Sequence, residues 1–145
     1  MKRQLLLGHI ISLLIGGLIY IFFRVTTLKM FGWYSSIGLE RFIKNIRKLT
    51  LHFTSQVPEW ILYSLPDGLW IFSYICLMLL IWHNNISSKN AFWVLAIPTL
   101  AICSEIGQSL NFVPGTFDFF DLLSYIFGMT LPFIFFNKQF LKLKF

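Results

Sequence analysis

Residues Gln4–Phe23 read QLLLGHIISLLIGGLIYIFF, twenty positions without a charged side chain. At about 1.5 Å of rise per residue, a helix of that length spans about 30 Å, the thickness of a bilayer's hydrocarbon core. Three further apolar runs follow, at about 64–82, 91–109 and 117–136. The whole chain of 145 residues is 57% hydrophobic and only 12% charged, with 17 phenylalanines, which is too apolar for a water-soluble domain. These features predict an all-α polytopic membrane protein of about four transmembrane helices. No linker-like or repetitive tract divides it, so residues 1–145 read as one membrane domain.

The net charge of +6 does not point to nucleic acid, because the basic residues sit in short segments between apolar runs. There they act as topology signals and lipid-headgroup contacts, and no basic patch carries a base-reading motif. Cys76 and Cys103 fall inside predicted spans without metal-ligand or C-x-x-C spacing and read as packing residues.

Lys2 and Arg3 precede the first span, and Arg24-Val25-Thr26-Thr27 follows it without a small-x-small cleavage site, the pattern of an uncleaved signal anchor. Gly8, Ser12 and Gly16 recur every four residues, a face suited to close helix packing and, in a short chain, to homo-oligomerisation. From Arg24 to Tyr63 the polarity is mixed. Over about 38–53, Leu39, Phe42, Ile43, Ile46, Leu49 and Phe53 take helical spacing opposite Glu40, Arg41, Lys44, Arg47 and Lys48. That pattern fits an amphipathic helix at the membrane interface or a cap over the bundle. Pro66-Asp67-Gly68 marks the start of the second span, Pro98 breaks the third, and Asn111–Thr116 makes a tight connection. Four spans place both termini on one side. Basic residues divide equally between the two sides, six against six, with Lys138, Lys142 and Lys144 in the C-terminal tail. The positive-inside rule weighs short segments most, which puts both termini in the cytoplasm.

Four of the six acidic residues, Asp67, Glu105, Asp118 and Asp121, fall at or just inside the ends of predicted spans. The starts of the second and fourth spans and the end of the third all open on the face of the long loop, where Arg24 closes the first span. Glu105 and Gln108 are three apart on one helix, and Asp118 and Asp121 are three apart on the next, so each pair shares a helical face. Tyr125, Gly128 and Pro132 continue the last stripe inward. A carboxylate in hydrocarbon costs several kcal/mol, so such groups are paired, protonated, hydrated or metal-bound, and the default reading is a functional site. The plain structural alternative is a salt bridge to Arg24, with the other acids capping helices in water. Several carboxylates with one cation would recruit Mg or Ca, hold a proton or bind a cationic ligand. Glu105, Asp118 and Asp121 are the candidate metal ligands and catalytic groups. His9 and His83 read as polar end-residues near the opposite face, and His52 lies in the amphipathic segment. No Ser-His-Asp order, phosphate-cradling glycine loop or HExxH occurs.

The run Glu105-Ile106-Gly107-Gln108, then Phe117-Asp118-Phe119-Phe120-Asp121-Leu122-Leu123 and Gly128, resembles the core of the VanZ-like membrane proteins over roughly the C-terminal third. In that family E-x-x-Q ends one helix and D-x-x-D opens the next. Tyr125 stands where the family usually has Asn, no arginine precedes Asp118, and Asp67-Gly68 followed by Ile71 replaces the Asp-Lys and downstream His of many members. The resemblance implies a small bacterial inner-membrane protein of the cell envelope, from a family named for glycopeptide-antibiotic resistance. Together with the residues it leads to one functional expectation, the binding of a lipid or envelope-precursor headgroup through Glu105, Gln108, Asp118, Asp121 and Tyr125, with Arg24 and Asp67 in support. Metal-dependent hydrolysis or transfer at a lipid phosphate, a small transporter subunit and a membrane scaffold are the alternatives.

Overall fold

A computed structural model describes residues 1–24 and 29–136 of the chain; the basic tail at Lys138, Lys142 and Lys144 lies outside them. Among the described residues the structure is all helical: α1 Lys2–Phe23, α2 Lys29–Ser36, α3 Glu40–Thr50, a 3-10 segment Leu51–Gln56, α4 Glu59–Ile81, α5 Ser88–Ser109 and α6 Phe119–Phe136. Helices α1, α4, α5 and α6 are long and apolar enough to cross a membrane. Large apolar side chains such as Leu14, Phe92 and Leu100 stay exposed on them, as surfaces that meet lipid require.

Two boundary expectations change. Helix α4 starts at Glu59, seven residues before Pro66, so Asp67 lies two turns inside the helix. Nor does Pro98 break the third span, since α5 runs unbroken from Ser88 to Ser109. Pro66, Pro98 and Pro132 all stand inside helices with fully buried side chains. Each lacks the N–H that would bond the carbonyl four residues earlier, a loss that membrane helices tolerate when neighbouring helices cover the gap.

Helix α4 is the centre of the bundle: α1 and α6 pack along it, and α5 joins more loosely against α6 and α4. The Gly8/Ser12/Gly16 face of α1 is turned onto α4. A Cβ on Gly8 would stand 3.2 Å from Cys76 Sγ, one on Gly16 would stand 2.8 Å from Trp70 Nε1, and the buried Ser12 hydroxyl donates back to the Gly8 carbonyl. This face therefore serves the fold of one chain and is not free for a second copy. His9, expected as a polar end-residue, is instead an interhelical tie. Its Nδ1 lies 2.7 Å from Ser73 Oγ, and that hydroxyl donates to the His9 carbonyl at 3.0 Å. Because the hydroxyl proton is committed to the carbonyl, Nδ1 must carry the ring proton.

The closest approach is between α4 and α6. These two run side by side in the same direction, with Trp60 stacked on Phe120 at 6.4 Å and Gly68 against Ser124. A Cβ on Gly128 would lie only 2.3 Å from the Gly68 carbonyl oxygen. At the far end, Asn84 in the α4–α5 turn donates to the Phe136 carbonyl at 2.8 Å and reaches Met1 Sδ at 3.4 Å. The start of α1 and the end of α6 thus share one face, as four crossings demand.

Helix α3 packs on the bundle as a cap and leaves an apolar and a basic face exposed. Ile43 and Arg47 are buried against the bundle, while Phe42 and Leu49 remain exposed on a neighbouring face and Arg41, Lys44 and Lys48 on a third. The Arg47 guanidinium donates to the carbonyls of Ile21 at 2.5 Å and Arg24 at 2.7 Å, and the Thr50 hydroxyl donates to that of Phe22 at 3.3 Å. These are the carbonyls that a helix end leaves without partners, and a cation there also meets the negative end of the helix dipole. Burial lowers the Arg47 pKa from its ordinary value.

Gly128→Leu is expected to lower the thermal unfolding midpoint in detergent, at an overpacking cost of about 1–3 kcal/mol or more. Gly17→Ala, which meets nothing within 4 Å, should leave the midpoint unchanged or raise it. Replacing Arg47 with Gln should cost about 1–3 kcal/mol by leaving buried carbonyls unsatisfied, and Lys should not restore it, because one ammonium does not reproduce the guanidinium's two-pronged donation.

Candidate functional site

The polar residues of the spans meet at the end where α4 and α6 begin and α1 and α5 finish. Arg24 follows the last turn of α1 in an extended conformation. Its guanidinium lies 4.8 Å from the Tyr20 ring centroid and 4.9 Å from that of Tyr63, and it donates to the Tyr20 hydroxyl at 3.4 Å. Among the described residues its Nε is buried without a hydrogen-bond partner. Among the described residues it forms no ion pair with a carboxylate, so the salt bridge considered from the sequence is not made.

Asp67, from the third turn of α4, is close enough to feel repulsion from Asp121 and Glu105 and attraction from Arg24. The same three carboxylates act on the Tyr125 hydroxyl. Helices α4, α5 and α6 therefore bring Asp67, Glu105, Asp121 and Tyr125 into one neighbourhood, with Arg24 on its α1 side. Three carboxylates against one guanidinium give the site an excess of negative charge.

Glu105 is only 4% exposed, and its Oε1 accepts the backbone N–H of Asp118 at 2.6 Å. This bond spans the α5–α6 connection and fixes where α6 begins. The exposed Asp118 carboxylate accepts the Phe120 N–H at 2.7 Å and so caps the new helix, the role that the plain structural reading gives it. Gln108 does not join the carboxylates through a hydrogen bond. Its amide packs over Gly115, whose φ of +143° suits glycine and where a Cβ would lie 2.7 Å from the Gln108 amide carbon. Glu105, Asp118 and Asp121 do not close into a metal-binding group: among the described residues no three His, Cys, Asp or Glu side chains are gathered to hold an ion. The physical reason is that Glu105 and Asp118 are turned to backbone N–H groups.

Two more atoms at this end of the bundle share the condition of Arg24 Nε. Among the described residues Asp121 Oδ1 is buried without a partner, and so is the hydroxyl of Ser64, a residue with no exposed surface. Ser64 lies between Trp60 and Gly68 on α4, and Asp121 between Phe120 and Ser124 on α6, so the contacts that join those neighbours set both at one level. Sequence reasoning passed over Ser64 as one small residue in an apolar run. The available signal was its spacing of three from Asp67, the same interval that relates Asp118 to Asp121.

Two cavities adjoin this cluster. One of about 610 Å³ at the membrane face is lined by Glu59, Tyr63, Ser64 and Asp118 within a rim of Trp60, Phe117, Phe119 and Phe120. Aromatic rims of this kind sit at headgroup depth. The other, of about 410 Å³, lies deeper beside Asp67 and Tyr125. Such cavities and unsatisfied buried groups suit a polar ligand that enters from the interface.

Glu105 carries a structural and an electrostatic role that two substitutions separate. Glu105→Ala should destabilise the protein by about 1–3 kcal/mol through the orphaned Asp118 N–H. Glu105→Gln keeps an acceptor there and should melt close to wild type in the same detergent assay while removing the charge. Compared with known proteins, the chain matches no family model, no curated protein and no solved structure, and its site is read from its own geometry.

Proposed function

We propose that this chain is a VanZ-like protein of the bacterial inner membrane that binds a lipid or cell-envelope precursor headgroup at the carboxylate-lined end of its bundle. The observation that carries the reading is the set of buried polar atoms without partners, Arg24 Nε, Ser64 Oγ and Asp121 Oδ1, where Asp67, Glu105 and Asp121 converge. A buried donor or acceptor left unsatisfied costs about 1–3 kcal/mol, so a bundle that keeps three of them in one region gains when a polar ligand or water fills it. The Arg24 guanidinium supplies donors to a phosphate or carboxylate oxygen. The carboxylates accept from hydroxyl or amine groups. Exposed Phe42 and Leu49, beside Arg41, Lys44 and Lys48 on α3, hold the same end at the lipid surface. With both termini in the cytoplasm, the site opens on the outer face of the inner membrane, where envelope precursors are handled.

Native mass spectrometry of the detergent-purified protein with a bacterial polar lipid extract tests this. Wild type is expected to retain lipid. Asp121→Asn and Arg24→Gln, each folded as judged by its melting midpoint, should lose about tenfold or more in retention, the equivalent of one charge-assisted hydrogen bond. Equal retention by all three proteins would reduce these residues to structural caps.

A further inference from the structure

The deeper cavity has a composition of its own. Asp67, Trp70, Ile71 and Tyr74 of α4, Ile97 of α5 and Tyr125 of α6 line it, so one carboxylate shares about 410 Å³ with three aromatic rings and two isoleucines. The space is a groove open along one side rather than a closed chamber, and its volume is enough for a headgroup.

The rings are held before any ligand arrives. Trp70 is braced by Gly16 of α1, where a Cβ would stand 2.8 Å from its Nε1, and by the Tyr20 ring at 5.0 Å. The Tyr74 hydroxyl donates to the Trp93 carbonyl on α5, which leaves the ring as its contribution to the cavity. Tyr125 stands one turn below Asp121, on the helix locked to α4 at Gly68 and Gly128.

Asp67 has carboxylate neighbours in Asp121 and Glu105 and a single cation in Arg24, so the cavity repels anions and favours a positive charge. Aromatic rings around a carboxylate suit one kind of cation in particular, an ammonium with alkyl substituents, which meets the rings through dispersion and cation–π attraction and the carboxylate through charge. A hydrated metal ion would find too few oxygen ligands there. Arg24, with its unpartnered Nε, offers a separate place for a phosphate on the α1 side.

We infer that the cavity formed by Asp67, Trp70, Tyr74 and Tyr125 takes the ammonium group of an amine-bearing headgroup, primary or quaternary. The inference rests on the headgroup reading above and narrows its ligand to cationic and zwitterionic classes.

The full-length protein in a non-ionic detergent is titrated by calorimetry with short-chain phosphatidylcholine, phosphatidylethanolamine and phosphatidylglycerol. Either amine-bearing lipid should bind about tenfold or more tightly than phosphatidylglycerol, a comparison that needs no variant. Asp67→Asn should erase that preference, Tyr125→Phe should keep it, and Tyr125→Leu should weaken it. Displacement of the bound lipid by tetramethylammonium chloride would assign recognition to the ammonium alone. Displacement by phosphocholine only would assign it to the zwitterion, and both results uphold the inference. Phosphatidylglycerol binding as tightly as the amine lipids, with Asp67→Asn without effect, would overturn the ammonium assignment and leave headgroup binding standing. No lipid binding above that of empty micelles would remove both.

Discussion

Helices α4 and α6 meet backbone to backbone where Gly128 faces the Gly68 carbonyl, a separation that leaves no room for a side chain. Much of the site depends on that approach. Asp67 is the residue before Gly68, and Tyr125 and Asp121 lie on the α6 stripe that ends at Gly128. Drawing the two backbones together therefore brings an acid from each helix within mutual repulsion, and the bundle must offset that cost through packing along α4. Between helices in lipid, where no hydrophobic effect drives association, small residues let dispersion and polar contacts do so. A chain that used such contacts for packing alone would not need carboxylates beside them.

The other end of the cluster is fixed by caps. Arg47 of α3 donates to the carbonyl of Arg24 itself, so α3 sets where the Arg24 side chain begins. Glu105 bonds the Asp118 N–H, which sets where α6 starts and hence the height of Asp121. Two buried charged side chains thus act on backbone groups and set where the side chains of Arg24 and Asp121 stand. Between them the Arg24 guanidinium rests against the rings of Tyr20 and Tyr63 and, among the described residues, forms no ion pair.

Much of this was legible in the sequence. Hydropathy and length gave the four spans, and the mixed periodicity of residues 38–53 gave an amphipathic α3, because both patterns follow directly from the solvent each face meets. The convergence of Asp67, Glu105 and Asp121 followed from helix ends that share one face. Less legible were features that depend on tertiary partners. Helix α4 extends back to Glu59 through Pro66 because neighbouring helices cover the proline, and a local rule reads that proline as a start. His9 pairs with Ser73, 64 residues away, and the Gly8/Ser12/Gly16 face meets α4 in the same chain, although its pattern serves a second copy equally well. Metal binding by Glu105, Asp118 and Asp121 had the right residue types, yet backbone N–H groups claim two of the three.

The central claim is that a polar headgroup binds at the end of the bundle that holds the buried polar atoms of Arg24, Ser64 and Asp121. The most direct measurement is an experimental density map of the full-length protein in nanodiscs of bacterial lipid, at a resolution that separates side chains from bound headgroups. Headgroup density within hydrogen-bonding distance of Arg24 Nε and Asp121 Oδ1 is the expected result. A guanidinium paired directly with Asp67 or Asp121, with no density between them, would contradict it and make the cluster an internal salt bridge.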